Sequence, residues 1–186
     1  MVQIEIFDEL DQRLSYVPRW AILRTIQKQS VAEHCFNVER IATQIAMMWF
    51  DMDDCTIISQ LALHHDDEEA IIGDIPSPSK KYVTIQGIRD EKAPWHVYSS
   101  ETDKQIVKLA DTMEACWFLS MEEKMGNRYV RQHRENMYDR CLSYAKQHFD
   151  HDIVEKLENW LIHTKHAESE DYDSLIGSTT SSAGQM

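Results

Sequence analysis

Glycine and proline together number only nine in this chain of 186 residues, where average usage would supply roughly 22. Few turn-formers means few turns. Folds of many short strands need a turn every few residues, so a sandwich or barrel is excluded and an all-α single-domain bundle of about six helices is expected. The length suits one domain with a sizeable core. No apolar run approaches the ~18–20 residues that span a bilayer, and the acidic start MVQIEIFDEL is unlike a signal peptide. A cytoplasmic protein without a membrane partner is therefore expected. The four cysteines form no C-x-x-C pair and fit reduced, mostly buried thiols. Acids outnumber bases 32 to 19, for a net charge of −13. Extended DNA or RNA, which requires a basic stripe, is excluded as a partner.

Apolar periodicity predicts helices over residues 30–50, 54–65, 100–125, 128–149 and 152–166, with one further turn over 66–72 that stops at Gly73. Val31, Cys35, Val38, Ala42, Ile45 and Trp49 fall on one face of the first. Ser30 followed by Glu33 is a capping-box signature for its start. Ile57, Ile58, Leu61 and Ala62 should face inward on the second. On the long helix from Ser100, the inward set is Ile106, Leu109 or Ala110, Met113 and Trp117. GDIPSPSK holds two of the four prolines and must be a loop. Residues 81–99 are short, mixed and interrupted by Pro94, an irregular stretch with room for one helical turn. Residues 1–166 form the expected domain, and 167–186 an acidic, serine-rich disordered tail without apolar periodicity.

Of nine histidines, most fit surface or structural roles. His65-Asp66 differs by its surroundings. On a helix, His65 and Glu69 share a face and Asp66 lies about 100° round. His34 sits on the preceding helix, and Asp111 stands between Leu109-Ala110 and Met113 on the long one. A charge in a buried stripe is costly unless it is paired or metal-bound. Two imidazoles and two carboxylates from three helices suit Zn²⁺, Mn²⁺, Fe²⁺, Co²⁺ or Ni²⁺ better than Ca²⁺. The bland alternative is a His-Asp pair at a helix C-terminus, with Asp111 salt-bridged to an arginine. His64 points elsewhere and is left as a supporting or structural residue.

The order His34, His65-Asp66, Asp111 resembles the HD superfamily of metal-dependent phosphohydrolases. Around it stand Arg19-Trp20, SVAEH at 30–34, HDDEE at 65–69, GDIPSPSK at 73–80 and KLAD at 108–111. Together these are similar to the bacterial 5′-deoxynucleotidases of that superfamily and to their phage relatives, the dATP triphosphohydrolases of phages with 2-aminoadenine genomes. The resemblance spans residues 13–127. It implies that His34, His65, Asp66 and Asp111 hold a divalent metal: zinc, cobalt or manganese, with magnesium accompanying a triphosphate. It implies that Glu69 orients or deprotonates the attacking water and that Asp74 lies near the sugar. Arg19 corresponds to a phosphate-binding arginine, Trp20 to the aromatic on the base, and Lys80 to a group able to approach phosphate. In the bland alternative Arg19 pairs with an acid and Trp20 is core. A homo-oligomer is also implied, for which apolar faces on the last two helices could serve.

Monophosphatase and triphosphohydrolase chemistry break the same ester and differ in the room and positive charge for outer phosphates. Only 36 residues separate Asp74 from Asp111, shorter than the resemblance to the bacterial monophosphatases implies, and a trimmed connection could leave the site open to a longer phosphate tail. Arg24, Lys28, Lys81 and Arg89 add cations around the motifs. Ile22, two residues after Trp20, could pack on the purine edge and disfavour a 2-amino group, since burying that donor unpaired costs roughly 1–3 kcal/mol. The expected activity is hydrolysis of dATP to deoxyadenosine and triphosphate, which would remove dATP during phage 2-aminoadenine DNA synthesis. The alternatives are a 5′-deoxynucleotidase acting on dNMPs and a non-catalytic nucleotide-binding domain. Retention of Glu69 and Asp74 favours catalysis over the last.

Overall fold

The computed structural model describes residues 12–50, 52–76, 78–83 and 99–166. Within them are six α-helices and no strand: α1 Val31–Trp49, α2 Thr56–Leu63, α3 Glu69–Ile72, α4 Glu101–Lys124, α5 Arg131–His148 and α6 His151–His166. Two 3₁₀ turns, Lys80–Tyr82 and Arg128–Val130, complete the list. The expected all-α class is met. The tail at 167–186, most of the 81–99 stretch and Arg89 lie outside the described residues.

Capping chemistry sets the ends of the helices. Ser30 Oγ accepts from the Glu33 amide at 3.2 Å while Glu33 Oε2 accepts from the Ser30 amide at 2.7 Å, closing the predicted box at the start of α1. Ser100 and Asp103 repeat the device on α4. At the other end of α4 the chain passes through Gly126 at φ 95°. There the Gly126 amide donates to the Glu123 carbonyl and the Asn127 amide to that of Glu122. This is the paired bonding of a Schellman cap, which favours glycine because a Cβ is strained at positive φ.

The 24-residue α4 is the axis of the bundle, packed against α1, α2, α5 and α6. It is about 36 Å long. A helix enclosed on several sides must be apolar on several sides, and Ile106, Leu109, Met113, Cys116 and Leu119 are all buried. They meet Val38, Ala42 and Ile45 of α1, Ile58 and Leu61 of α2, and Leu157 of α6. Trp117, expected inward, is instead 42% exposed. Its neighbours Cys116 and Phe118 take the buried directions, because α4 is wetted only on a narrow edge. Ile57 is half-buried rather than core.

A second departure matters for the site. The helix predicted to reach His65 ends at Leu63, where the His64 amide bonds the Gln60 carbonyl. His65 and Asp66 therefore lie in a turn between α2 and α3, and helical angles do not relate them to Glu69. Gly73, at φ 74°, then ends α3 and sends the chain into the loop that carries Asp74.

Leu109 is fully buried in the main core, so Leu109→Ala should cost about 2–5 kcal/mol. Exposed Ile22→Ala should stay within about 0.5 kcal/mol. Urea unfolding followed by circular dichroism measures both; equal midpoints for the two variants would contradict the core assignment.

Candidate metal centre and nucleotide site

His34, in the first turns of α1, is buried. Its Nδ1 lies 2.8 Å from Glu114 Oε2, and His65 Nδ1 lies 2.7 Å from the Ala62 carbonyl. An acceptor on each Nδ1 fixes the proton there and turns the Nε2 lone pair inward. The two Nε2 atoms stand 3.2 Å apart. Asp66 Oδ2 is 3.6 Å from the first and 3.3 Å from the second, while Asp111 Oδ1 is 3.4 Å from His34 Nε2. One ligand atom each from His34, His65 and Asp66 falls within a 4.8 Å cluster. Asp111 borders it, with Oδ2 held by Lys108 at 2.6 Å.

Lone pairs and carboxylate oxygens converging in this way repel one another unless a cation lies among them. The protonation equilibria express the same demand. Burial and Arg19 push the His34 imidazole down, but hydrogen bonds with Asp111 and Glu114 outweigh them and raise it to about 9. Burial pushes the Asp66 carboxyl up, yet His65 and His34 hold it below its usual range. Asp111 is held well below, its burial overcome by Lys108 and His34. A nitrogen and oxygen donor set of this kind fits a divalent transition metal.

Glu69, at the start of α3, is buried, and its Oε2 has no hydrogen-bond partner among the described residues. Burial, then the charges of Asp66 and Asp74, push its carboxyl up to about 8. Lys80 Nζ lies 3.8 Å from Oε1. Both line a cleft of about 300 Å³ whose other walls are Glu68, Ile72, Ile75 and Val83. Glu69 and Lys80 thus share one cleft, and both lie within electrostatic reach of Asp66.

The remaining candidates sit on the loop between an antiparallel bridge of Pro18 with Ser30. Arg19 Nη1 donates to Glu114 Oε2 at 3.0 Å, and its guanidinium lies 5.2 Å from the Trp20 ring centre. Trp20 has φ 64°, a left-handed conformation costly for a bulky residue. Three contacts hold it: its amide donates to Asp74 Oδ2 at 3.1 Å, its indole N–H donates to Gln29 Oε1 at 3.0 Å, and its ring stacks on Phe118 at 5.3 Å. Asp74 therefore braces Trp20 here. Ile22 is 71% exposed, on the same loop. His64, as expected, is engaged elsewhere, with Asp67 at 2.9 Å.

Sequence reasoning missed Glu114, Gln29 and Phe118. Glu114 is the most buried acid around the site, and its carboxylate takes His34, Arg19, Gln29 and, at 3.4 Å, Asn37. Burial pushes it up, but the His34 bond and the Arg19 charge hold it below the ordinary range. A signal was available: an acid between Met113 and Ala115, one turn after Asp111, carries the same burial cost that singled out Asp111.

This histidine and aspartate constellation, in a fold that is all-helical among the described residues, resembles the HD-domain phosphohydrolases. The family model described as 5′-deoxynucleotidase YfbR-like matches residues 7–93. The 5′-deoxynucleotidase VP0926 of Vibrio parahaemolyticus is 28% identical over 141 residues, covering 61% of this chain and 72% of its own. YfbR of Escherichia coli O127:H6 is 29% identical over 154 residues, covering 68% and 75%. In fold, the chain is similar to the cyanophage S-2L HD phosphohydrolase DatZ, solved with dA and one catalytic Zn²⁺ (TM-score 0.72, 21% identity, 89% of this chain and 100% of that one). PH0347 of Pyrococcus horikoshii has the same fold (TM-score 0.66, 22% identity, 86% and 96%). The chain is thus similar to the YfbR-like HD phosphohydrolases and homologous to 5′-deoxynucleotidases, a likeness that supports a hydrolase.

Glu69 makes a pH prediction with a definite sign. Its folded-state value of about 8 lies above its ordinary 4.5, so the folded state keeps a proton that the unfolded chain has lost. Stability of the metal-free protein should fall as pH rises through that window. Glu69→Gln should remove this loss, so its Tm advantage over the parent should grow between pH 5 and pH 8 in the presence of chelator. A constant Tm difference would contradict the buried, uncompensated carboxyl.

Proposed function

We propose that this protein hydrolyses the 5′ phosphoester of a 2′-deoxynucleotide at the centre formed by His34, His65, Asp66 and Asp111, with dATP the preferred substrate and deoxyadenosine and triphosphate the products. The observation that carries the reading is Glu69, a buried carboxyl whose Oε2 has no partner among the described residues and which feels the charge of Asp66. A binding module has no use for a proton acceptor in that place.

Once bound by these four side chains, a zinc, cobalt or manganese ion would supply positive charge to polarise a phosphoryl oxygen and acidify the attacking water. Glu69 receives that water's proton; burial and the Asp66 and Asp74 charges raise its carboxyl, and a cation bound by those ligands would offset these charges and leave it ionised for the task. The water oxygen forms a bond to phosphorus, the bond from phosphorus to the sugar O5′ breaks, and O5′ leaves as a hydroxyl after taking back the proton that Glu69 received. Lys80 contributes charge on the phosphate side of the cleft, joined by Arg19. Trp20, stacked on Phe118, is the aromatic offered to the base, with Ile22 nearby on the loop and Asp74 bracing it from the sugar side.

Two observations favour dATP. The fold matches the whole length of DatZ, a protein solved with dA, and the Asp74–Asp111 connection is short. The second reading, hydrolysis of dNMPs, is favoured by the 5′-deoxynucleotidase relatives, of which the chain covers about three-quarters. In a phage setting, dATP removal in the host cytoplasm would favour 2-aminoadenine in new genomes. Assembly as a homo-oligomer belongs to the same proposal.

Incubation with Co²⁺ or Mn²⁺ and, separately, dATP, dGTP and dAMP should release inorganic triphosphate from dATP alone. Phosphate from dAMP alone would replace the lead with the second reading. Asp66→Ala and Asp111→Ala should each lower turnover by at least about a hundredfold while far-ultraviolet circular dichroism stays helical. Full activity in either would overturn the ligand assignment.

A further inference from the structure

Metal site and phosphate site are usually treated as separate parts of a hydrolase centre. Here one side chain touches both. Glu114 has no solvent exposure, and its Oε2 is shared by His34 Nδ1 at 2.8 Å and Arg19 Nη1 at 3.0 Å. Its Oε1 takes Gln29, the residue that also holds the Trp20 indole N–H. We propose that Glu114 is a positioning residue with two tasks: it orients the imidazole of His34 for the metal, and it aims the Arg19 guanidinium at the phosphate of the nucleotide. The inference rests on the hydrolase reading above.

The chemistry of the contact supports both tasks. A carboxylate on Nδ1 fixes the histidine tautomer and makes the opposite nitrogen a better ligand. The same oxygen engages one guanidinium nitrogen, and the other side-chain donors of Arg19 make no hydrogen bond among the described residues, a fork that suits phosphate. With two charged partners on one oxygen, a change at Glu114 cannot spare either. Arg19, by contrast, bonds the carboxylate and not the imidazole, and its charge pushes the His34 imidazole down, so its loss should impair nucleotide binding without weakening the hold on the metal.

The test compares Glu114→Gln, Arg19→Gln and the double variant. Metal affinity is read by competition with a chromophoric chelator for Co²⁺, which needs no turnover. Glu114→Gln should weaken Co²⁺ binding about 10–100-fold, and Arg19→Gln should not weaken it. At saturating Co²⁺, each single variant should raise KM about tenfold or more. The double variant should raise KM no further than Arg19→Gln, because Glu114 acts on the phosphate only through Arg19. Unchanged Co²⁺ affinity in Glu114→Gln, or KM effects that multiply, would overturn the proposal. If Glu114→Gln does not fold, Glu114→Asp keeps the charge but shortens the reach and should impair both readouts more mildly; parental values for both would also overturn it. Failure of the hydrolase reading would show separately, as no turnover by the parent protein while the chelator measurement still reports on Glu114.

Discussion

A carboxylate buried without compensation would cost several kcal/mol, and Glu114 is buried completely. It persists because an imidazole, a guanidinium and an amide converge on its two oxygens. Those donors come from three places in the chain: the neck of the 19–29 loop, the end of that loop and the first turns of α1. Satisfying one buried charge therefore ties the loop to α1 and α4. Removal of any donor would leave part of the charge unpaired, so the arrangement is held as a unit.

The effect extends along α4. Asp111, Glu114, Phe118 and Glu122 follow at spacings of three, four and four, a single stripe of the helix. Asp111 borders the imidazoles, Glu114 takes Arg19 and Gln29, and Phe118 stacks on Trp20. Glu122, also fully buried, accepts from the Ile26 and Gln27 amides at 2.7 Å each and from Asn127. Asn127 in turn donates to the Arg24 carbonyl. One rigid helix thus sets where the loop lies at its neck, its aromatic and its far end. A loop fixed at several points can hold Trp20 in a left-handed conformation whose cost, about 1–3 kcal/mol, no isolated loop would bear.

Much of this was legible in the residues alone. Scarcity of glycine and proline pointed to helices, the Ser30–Glu33 capping box placed the start of α1, and donor chemistry singled out His34, His65-Asp66 and Asp111. Other features were not. Trp117 carries the same apolar signal as its buried neighbours, and which neighbours are covered depends on how α5 and α6 lie against α4. The apolar run through α2 gave no warning that the helix ends at Leu63, because His64 and His65 are compatible with a helix. The break follows from the turn that delivers both His65 and Asp66 to one centre.

Local periodicity and capping are properties of a few consecutive residues, since backbone hydrogen bonds join neighbours three or four apart. For that reason the sequence by itself determined the helices, their starts and the types of ligand available. Pairings over long separations obey no local rule. His34 and Glu114 stand 80 positions apart, Arg19 and Glu114 stand 95 apart, and Trp20 and Asp74 stand 54 apart. Only the tertiary structure decided that Arg19 lies against a buried carboxylate, that Asp74 braces Trp20 and that Glu69 is buried with an oxygen unpartnered among the described residues. Each depends on which surfaces exclude water once the helices have packed.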